Sequence, residues 1–206
     1  MKRRPAFMEG YTEFYPYCYL LIAADNSLEA AKLVEKYDHN RGRNYHYASA
    51  VIFSAFAVEA VVNHIGLEQI EDWAKDERKK GGWEKKLIEV AALGSKTPDF
   101  TEPPFKTAKE AFSMRDRLAH GKTWVGEQCY IDTGCEQEEH SFPDWLELYL
   151  NERKAVEVVS DARKVVETLL LWARYPLHDL YCMGRGHYSE TANAQPRAAV
   201  WKVKNS

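Results

Sequence analysis

The chain has 206 residues, of which 45% are hydrophobic and 29% are charged, a composition typical of a packed globular protein and not of a disordered one. Its 28 basic and 31 acidic side chains leave a net charge of −3. No overall positive field therefore directs the chain to nucleic acid or to a membrane surface, and any anion site has to be local. The length favours one domain, which we expect over residues 1–182, followed by a loosely ordered tail over 183–206.

The cysteines and the N-terminal residues indicate the setting of the protein. Four scattered cysteines include no CxxC pair, and the first ten residues lack the apolar run of a signal peptide, so we expect a reducing, cytoplasmic location. Cys129, Cys135 and His140 match zinc-ligand spacing poorly, so we expect neither a metal nor a cofactor. Because no stretch reaches the ~18 uninterrupted apolar residues of a membrane span, we expect no membrane association.

The first two predicted elements are helices. Apolar residues at helical spacing predict a helix within 16–37, and the sequence NRGRN at 40–44 interrupts it. The next segment, 47–66, is apolar on nearly every side and is predicted to end at Gly66. A helix without a polar face belongs in the centre of a fold.

Three further helices are predicted towards the middle of the chain. A short helix is expected over 67–79, and another over 83–93 with Gly94 as its stop. Pro104 is well placed as a first-turn proline for the helix that follows. The apolar stripe of that helix also carries Arg115 on the same face, and its members are Phe105, Ala108, Phe112 and Ala119.

The pattern changes after that helix. Residues 121–142 alternate in a β-prone manner, which predicts a short hairpin or an extended insertion. The longest helix is then expected over 143–175, ended by Pro176. The fold class predicted from these elements is all-α, an antiparallel bundle of four to five helices with that insertion and a loose C-terminal tail.

The central helix carries polar groups on one edge. Ile52, Phe56, Glu59 and Asn63 lie on one line at helical spacing, so a carboxylate and an amide are one turn apart. Burying an unpaired charge is costly, so Glu59 needs a cation or a hydrogen-bond donor. It is either a satisfied structural carboxylate or one that orients an arginine in a site. The neighbouring His64 is interpreted as structural.

Residues 115–122, RDRLAHGK, carry the main functional hypothesis. In an ideal helix Arg115 and His120 are separated by about 140° of rotation and ~7.5 Å of rise. We expect Gly121 to permit a left-handed cap, so that the ring of His120 can swing back towards Arg115. A guanidinium and an imidazole that converge on one point suit a phosphodiester.

These groups suffice for RNA cleavage without a metal, because the 2′-OH supplies the nucleophile. His120 would move the proton, Arg115 would stabilise the pentavalent phosphorane, and Asp116 would position its partners. Arg117 and Lys122 are expected to hold phosphate. Glu59 and Asn63 are also placed among the candidate substrate-binding residues. The simplest alternative is that an arginine and a histidine are both favoured at a helix C-terminus by the macrodipole.

The segments AFAVEAVVNHIG and MRDRLAHGK together resemble the HEPN superfamily, whose signature is an arginine, a polar residue, three further residues and a histidine. Arg115, Asp116 and His120 match it position by position, and Glu59 resembles the glutamate that often accompanies it. The resemblance implies a helical bundle that forms a homodimer with a composite active site. It also implies metal-independent endoribonuclease activity on RNA, leaving 2′,3′-cyclic phosphate and 5′-OH ends, often in toxin–antitoxin or anti-phage defence systems with an antitoxin or another protein partner.

A second class of function stays open. The chain would then be a non-catalytic dimeric bundle that binds RNA, a nucleotide or a partner protein, with Arg115 paired internally to Glu59 and His120 acting only as a cap. A nucleophilic or metal hydrolase has no support, because the sequence has no GxSxG, HExxH or P-loop pattern.

Overall fold

Most of the described chain is helical, as the sequence predicts. The computed structural model describes residues 7–37, 42–76, 81–121, 144–177 and 184–191. Within these ranges lie two strands and seven helices: β1 (Phe7–Phe14), α1 (Pro16–Tyr37), α2 (Arg43–Gln69), α3 (Trp73–Asp76), α4 (Trp83–Leu93), α5 (Phe105–Ala119), α6 (Asp144–Glu147), α7 (Glu152–Trp172) and β2 (Gly184–Thr191). The helices form a bundle, which confirms the all-α fold class.

Helix α2 is the centre of the bundle and packs against α1, α4, α5 and α7. It carries buried side chains on several sides, which explains why its sequence lacks a polar face. By length and composition α2 is also apolar enough to cross a membrane, and 56% of its most apolar stretch is buried inside the bundle. This central packing accounts for its hydropathy without a lipid environment.

Helix α2 does not end at Gly66, as the sequence predicted, but continues to Gln69. A Cβ on Gly66 would lie 2.2 Å from the ring of Trp73, so this glycine is needed for a close approach inside the bundle and not for a stop. Because α2 takes residues 67–69, the short helix predicted over 67–79 is reduced to the four residues of α3 among the described residues.

The segment predicted as one long helix over 143–175 is divided into α6 and α7. The side chain of Asn151 accepts a hydrogen bond from the backbone N–H of Lys154 at 2.9 Å, so Asn151 is the N-cap of α7. The longest helix is therefore α2. The apolar face predicted for the C-terminal helix is buried in α7, at Ala155, Val158, Val159, Ala162, Val165, Val166 and Leu169.

Aromatic stacking positions α5. The rings of Trp83 and Phe112 stack with centroids 3.9 Å apart, and the ring of Phe105 stacks on Trp172 at 5.6 Å. Three of the four members of the predicted α5 stripe, Phe105, Ala108 and Phe112, are buried, whereas Ala119 is exposed. The last turn of α5 therefore projects from the bundle.

The ends of the chain form a two-stranded antiparallel sheet. In its register Phe7 lies opposite Thr191, and Phe14 lies opposite Gly184. Within the tail predicted over 183–206, residues 184–191 form β2 and pair with a strand that lies 170 or more positions earlier in the chain. The hairpin predicted over 121–142 lies outside the described residues, apart from Gly121.

Candidate functional site

The candidate site lies at the edge shared by α2 and α5, where Arg115 makes two ion pairs. Its Nη1 donates a short hydrogen bond to Oε2 of Glu59 on α2. Its Nε and Nη2 donate to Oδ1 of Asp116 at 3.0 and 2.8 Å. The side chain of Arg115 is 16% exposed and that of Glu59 is 34% exposed. The sequence prediction that Glu59 needs a cationic partner is confirmed.

Two aromatic rings complete the surroundings of Arg115. The guanidinium carbon lies 4.6 Å from the centroid of Phe112 and 5.6 Å from that of Phe56. Contacts of this kind stabilise a cation by about 0.5 to 2 kcal/mol, with the larger values where water is excluded. Together with the two carboxylates, the rings hold the guanidinium in one position and leave only a narrow face towards solvent.

Neither of these two rings was expected at the site from the sequence. Phe112 precedes Arg115 by three residues, and Phe56 precedes Glu59 by three residues. Residues at this spacing are neighbours on a helix surface. The signal was therefore in the sequence, but it becomes specific only when α2 and α5 are placed side by side.

His120 lies at the exposed end of α5. Its backbone N–H donates to the carbonyl of Asp116 at 2.9 Å, so helical hydrogen bonding continues to this residue. Its imidazole is exposed and makes no hydrogen bond or ion pair with any residue in the described part of the chain. A separation of five helical residues directs His120 about 140° away from Arg115 around the α5 axis.

The left-handed cap predicted at Gly121 is wrong. The described glycines with positive φ are Gly42 and Gly81. At Gly121 a Cβ would lie 2.4 Å from the carbonyl oxygen of Arg117, so the chain needs a glycine there because it turns back closely over the last turn of α5.

The other predicted site residues differ in whether they interact with Arg115. Asp116 pairs with Arg115, and its role in positioning catalytic groups stays a prediction. The Oδ1 of Asn63 is buried without a hydrogen-bond partner in the described structure, and no hydrogen bond joins Asn63 to Arg115. Arg117 is exposed next to Asp116. Lys122 lies outside the described residues.

Polar contacts from the α6–α7 region anchor the other side of α5. The Nζ of Lys154 pairs with Oε2 of Glu110 at 2.8 Å, and the hydroxyl of Tyr149 donates to the carbonyl of Glu110 at 3.3 Å. Burial raises the pKa of Tyr149. For Lys154, burial lowers the pKa, but the hydrogen bond and charge of Glu110 and those of Glu157 outweigh this effect and raise it overall. Helix α5 is thus held firmly up to its projecting last turn.

No protein-family model matches the chain, and comparison with curated proteins and with solved structures finds no match either. The resemblance to the HEPN superfamily therefore depends on Arg115, Asp116 and His120, on Glu59 and on the helical architecture. Among the described residues no group of three His, Cys, Asp or Glu side chains is arranged to hold a metal ion.

Proposed function

We propose that the chain is a metal-independent endoribonuclease of the HEPN type, which cleaves RNA through attack by the 2′-OH. One observation supports this proposal above the others. An arginine held by two carboxylates and two rings lies on the same helix end as an exposed histidine without a partner in the described structure. A fixed cation and an accessible imidazole are the two groups that this reaction needs.

The proposed roles follow from the two side chains. The imidazole of His120 takes the proton of the 2′-OH while O2′ forms a bond to phosphorus. The P–O5′ bond then breaks, and the products carry a 2′,3′-cyclic phosphate and, after protonation of the leaving oxygen, a 5′-OH. Arg115 stabilises the charge on the phosphoryl oxygens, and its fixed position lowers the entropic cost of that contact.

A homodimer with a composite cleft is part of the proposal. Because His120 and Arg115 of one chain lie about 140° apart around α5, a second copy offers a way to place an imidazole opposite a guanidinium. Phe56 is 39% exposed and Leu118 is 40% exposed near this edge, and they supply apolar surface for such a contact. A cytoplasmic toxin or anti-phage effector, with an antitoxin or other protein partner, is the biological setting that we propose.

The second candidate is a non-catalytic dimeric bundle that binds RNA, a nucleotide or a partner protein. The ion pairs of Arg115 favour it, because a guanidinium shared by Glu59 and Asp116 is already neutralised before any phosphate arrives. In this case the Arg115–Glu59 pair is structural, and His120 contributes only its backbone N–H to the end of α5.

Incubation of the purified protein with total RNA in EDTA separates the two candidates. We expect the wild type to produce fragments with 5′-OH ends, which accept a phosphate from polynucleotide kinase without prior dephosphorylation. His120→Ala and His120→Asn should each lower the cleavage rate by about 100-fold or more. Because His120 is exposed, both should change the free energy of unfolding by less than about 0.5 kcal/mol.

The control variant is Arg153→Ala, which removes an exposed basic side chain from α7 and should leave cleavage unchanged. Equal cleavage by the wild type and both His120 variants would show a contaminating nuclease and refute the assignment. If the wild type retains RNA on a filter but leaves it intact, the binding module is the correct function.

A further inference from the structure

A cavity of about 390 Å³ lies where β1 leads into α1, beside the C-terminal ends of α2 and α7. It is lined by four ring side chains, Phe14, Tyr15, His64 and Tyr175, and by two carboxylates, Glu13 and Glu68. Its volume falls within the range of about 300 to 1,000 Å³ that is common for small-molecule sites. None of its lining residues belongs to the Arg115 site.

The rings form a connected cluster around His64. The centroid of its imidazole lies 5.2 Å from that of Tyr15, 5.5 Å from that of Tyr17 and 5.4 Å from that of Tyr175. Tyr15 and Tyr17 are buried and stack on each other at 5.8 Å, so they give the cluster a rigid base. Phe14 is 59% exposed and lies at the rim.

Among the described lining residues, the two carboxylates are the only acidic or strongly basic side chains. The cavity is bordered by two glutamates, and no lysine or arginine is among its described lining residues. Glu13 accepts a hydrogen bond from the hydroxyl of Tyr15 at 3.0 Å, and in the strand register it lies opposite Arg185. Glu68 is exposed and makes no hydrogen bond or ion pair with a described residue, so its charge is the more available one.

We propose that this cavity binds a small organic ammonium ion. Aromatic faces attract cations through the ring quadrupole, and alkylated ammonium groups are the ligands best suited to several rings because they are weakly hydrated. The carboxylate of Glu68 adds a negative charge at the rim of the cavity, which attracts a cation. Anions are disfavoured by both glutamates, and a hard metal ion is disfavoured because two carboxylates among the described lining residues are fewer oxygen ligands than such an ion requires.

The ligand test compares choline with 3,3-dimethylbutan-1-ol, its neutral isostere. Titration of the full-length protein by calorimetry or by NMR should give a dissociation constant for choline that is about tenfold lower than that for the alcohol. Equal affinities would show an apolar pocket without cation recognition and would overturn the proposal. Absence of choline binding at concentrations up to about 20 mM would overturn it as well.

The residue test uses matched pairs of variants. Glu68→Gln should weaken choline binding by about three- to tenfold, whereas Glu102→Gln, an exposed carboxylate before α5 that does not line the cavity, should leave it unchanged. Tyr175→Leu should weaken it similarly by removing the π face, and Tyr175→Phe should retain it. Unchanged affinity in both Glu68→Gln and Tyr175→Leu contradicts the assignment of this cavity. Since Glu68 is exposed, its variant keeps the test valid even if a Tyr175 variant folds poorly.

Discussion

The contacts of Arg115 determine how its substitution will act. A guanidinium that pairs with a partly buried carboxylate is costly to remove, because the carboxylate is then left without a partner. Glu59 is 34% exposed, so water compensates for part of this loss. The net cost of losing either partner therefore depends on whether the other one is still present, and a double-mutant cycle measures this dependence.

We expect the cycle of Arg115→Met and Glu59→Gln to give a coupling energy of about 1 to 2 kcal/mol in urea unfolding. The matched control is the pair between Nη2 of Arg163 and Oδ2 of Asp25, which are 2.6 Å apart and belong to side chains that are 31% and 46% exposed. Its coupling should be smaller, about 0 to 1 kcal/mol. If the control couples as strongly as the site pair, Arg115 has no special structural role.

At the residue scale the sequence predicted which kind of partner a side chain needs better than it predicted the backbone conformation at a given residue. The need of Glu59 for a cation followed from its place on an apolar helix, and the structure supplies Arg115. The left-handed cap expected at Gly121 did not follow, because a glycine also serves where a Cβ would meet a backbone oxygen, here the carbonyl of Arg117. The sequence shows only that a glycine is present. It does not show whether that glycine provides a positive φ or leaves room for a nearby backbone atom.

Two glycines, Gly66 inside α2 and Gly82 at the N-cap of α4, give a prediction at the scale of the element. Alanine in place of an interior helical glycine ordinarily stabilises a helix by up to about 1 kcal/mol. Gly66→Ala should instead destabilise the protein by more than about 3 kcal/mol, because the new Cβ would lie 2.2 Å from the Trp73 ring. Gly82→Ala meets no atom within 4 Å and should change stability by less than about 1 kcal/mol. Thermal unfolding measures both, and equal melting temperatures would contradict the close packing of α2 on Trp73.

The contact between α5 and the turn before α7 should weaken at alkaline pH. Burial raises the pKa of Tyr149 in the folded state above its ordinary value of 10.0, so the folded chain holds this proton more tightly than the unfolded chain. The resulting stability is fully present below about pH 10 and is lost as the pH rises through the raised pKa. Urea unfolding between pH 8 and 11 should show a larger loss for the wild type than for Tyr149→Phe. Parallel curves would exclude this proton as the cause.

Helical elements were predictable where a single periodic pattern covered them. The apolar stripe predicted for α2 is buried, most of the one predicted for α7 is buried, and about half of the one predicted for α1 is buried. The break between α6 and α7 was missed because Asn151 caps a new helix inside a segment whose pattern looks continuous. The extension of α2 past Gly66 was missed because glycine also serves where Trp73 packs against the backbone.

Assembly of two chains gives a prediction at the scale of the whole molecule. If Arg115 of one chain acts with His120 of the partner subunit, a mixture of Arg115→Ala and His120→Ala proteins contains dimers with one intact site. Equal mixing makes about half of the dimers mixed, and each mixed dimer has one intact site out of two. About one quarter of all sites are then intact, so cleavage should return to about one quarter of the wild-type rate. Each variant alone should be inactive, and light scattering should show dimers throughout.

Two outcomes of that mixture would contradict the composite cleft. No recovery of activity, with subunit exchange confirmed by tagged chains, would place both groups of each site in the same chain. A monomeric protein that still cleaves RNA would remove the need for a second copy. Leu118→Glu offers an independent check, because Leu118 is 40% exposed and a charge on this apolar edge should weaken a dimer that uses it.

The sequence by itself determined the helical class and the central place of α2, and it showed the motif that runs from Arg115 to His120. Periodicity and motifs are local properties of the chain and can be recognised without the fold. Only the tertiary structure decided that Arg115 pairs with Glu59, that β1 pairs with β2 and that rings and carboxylates surround a cavity beside His64. Each of these features joins residues that are distant in sequence. Their proximity depends on how whole elements pack, and no single segment encodes that arrangement.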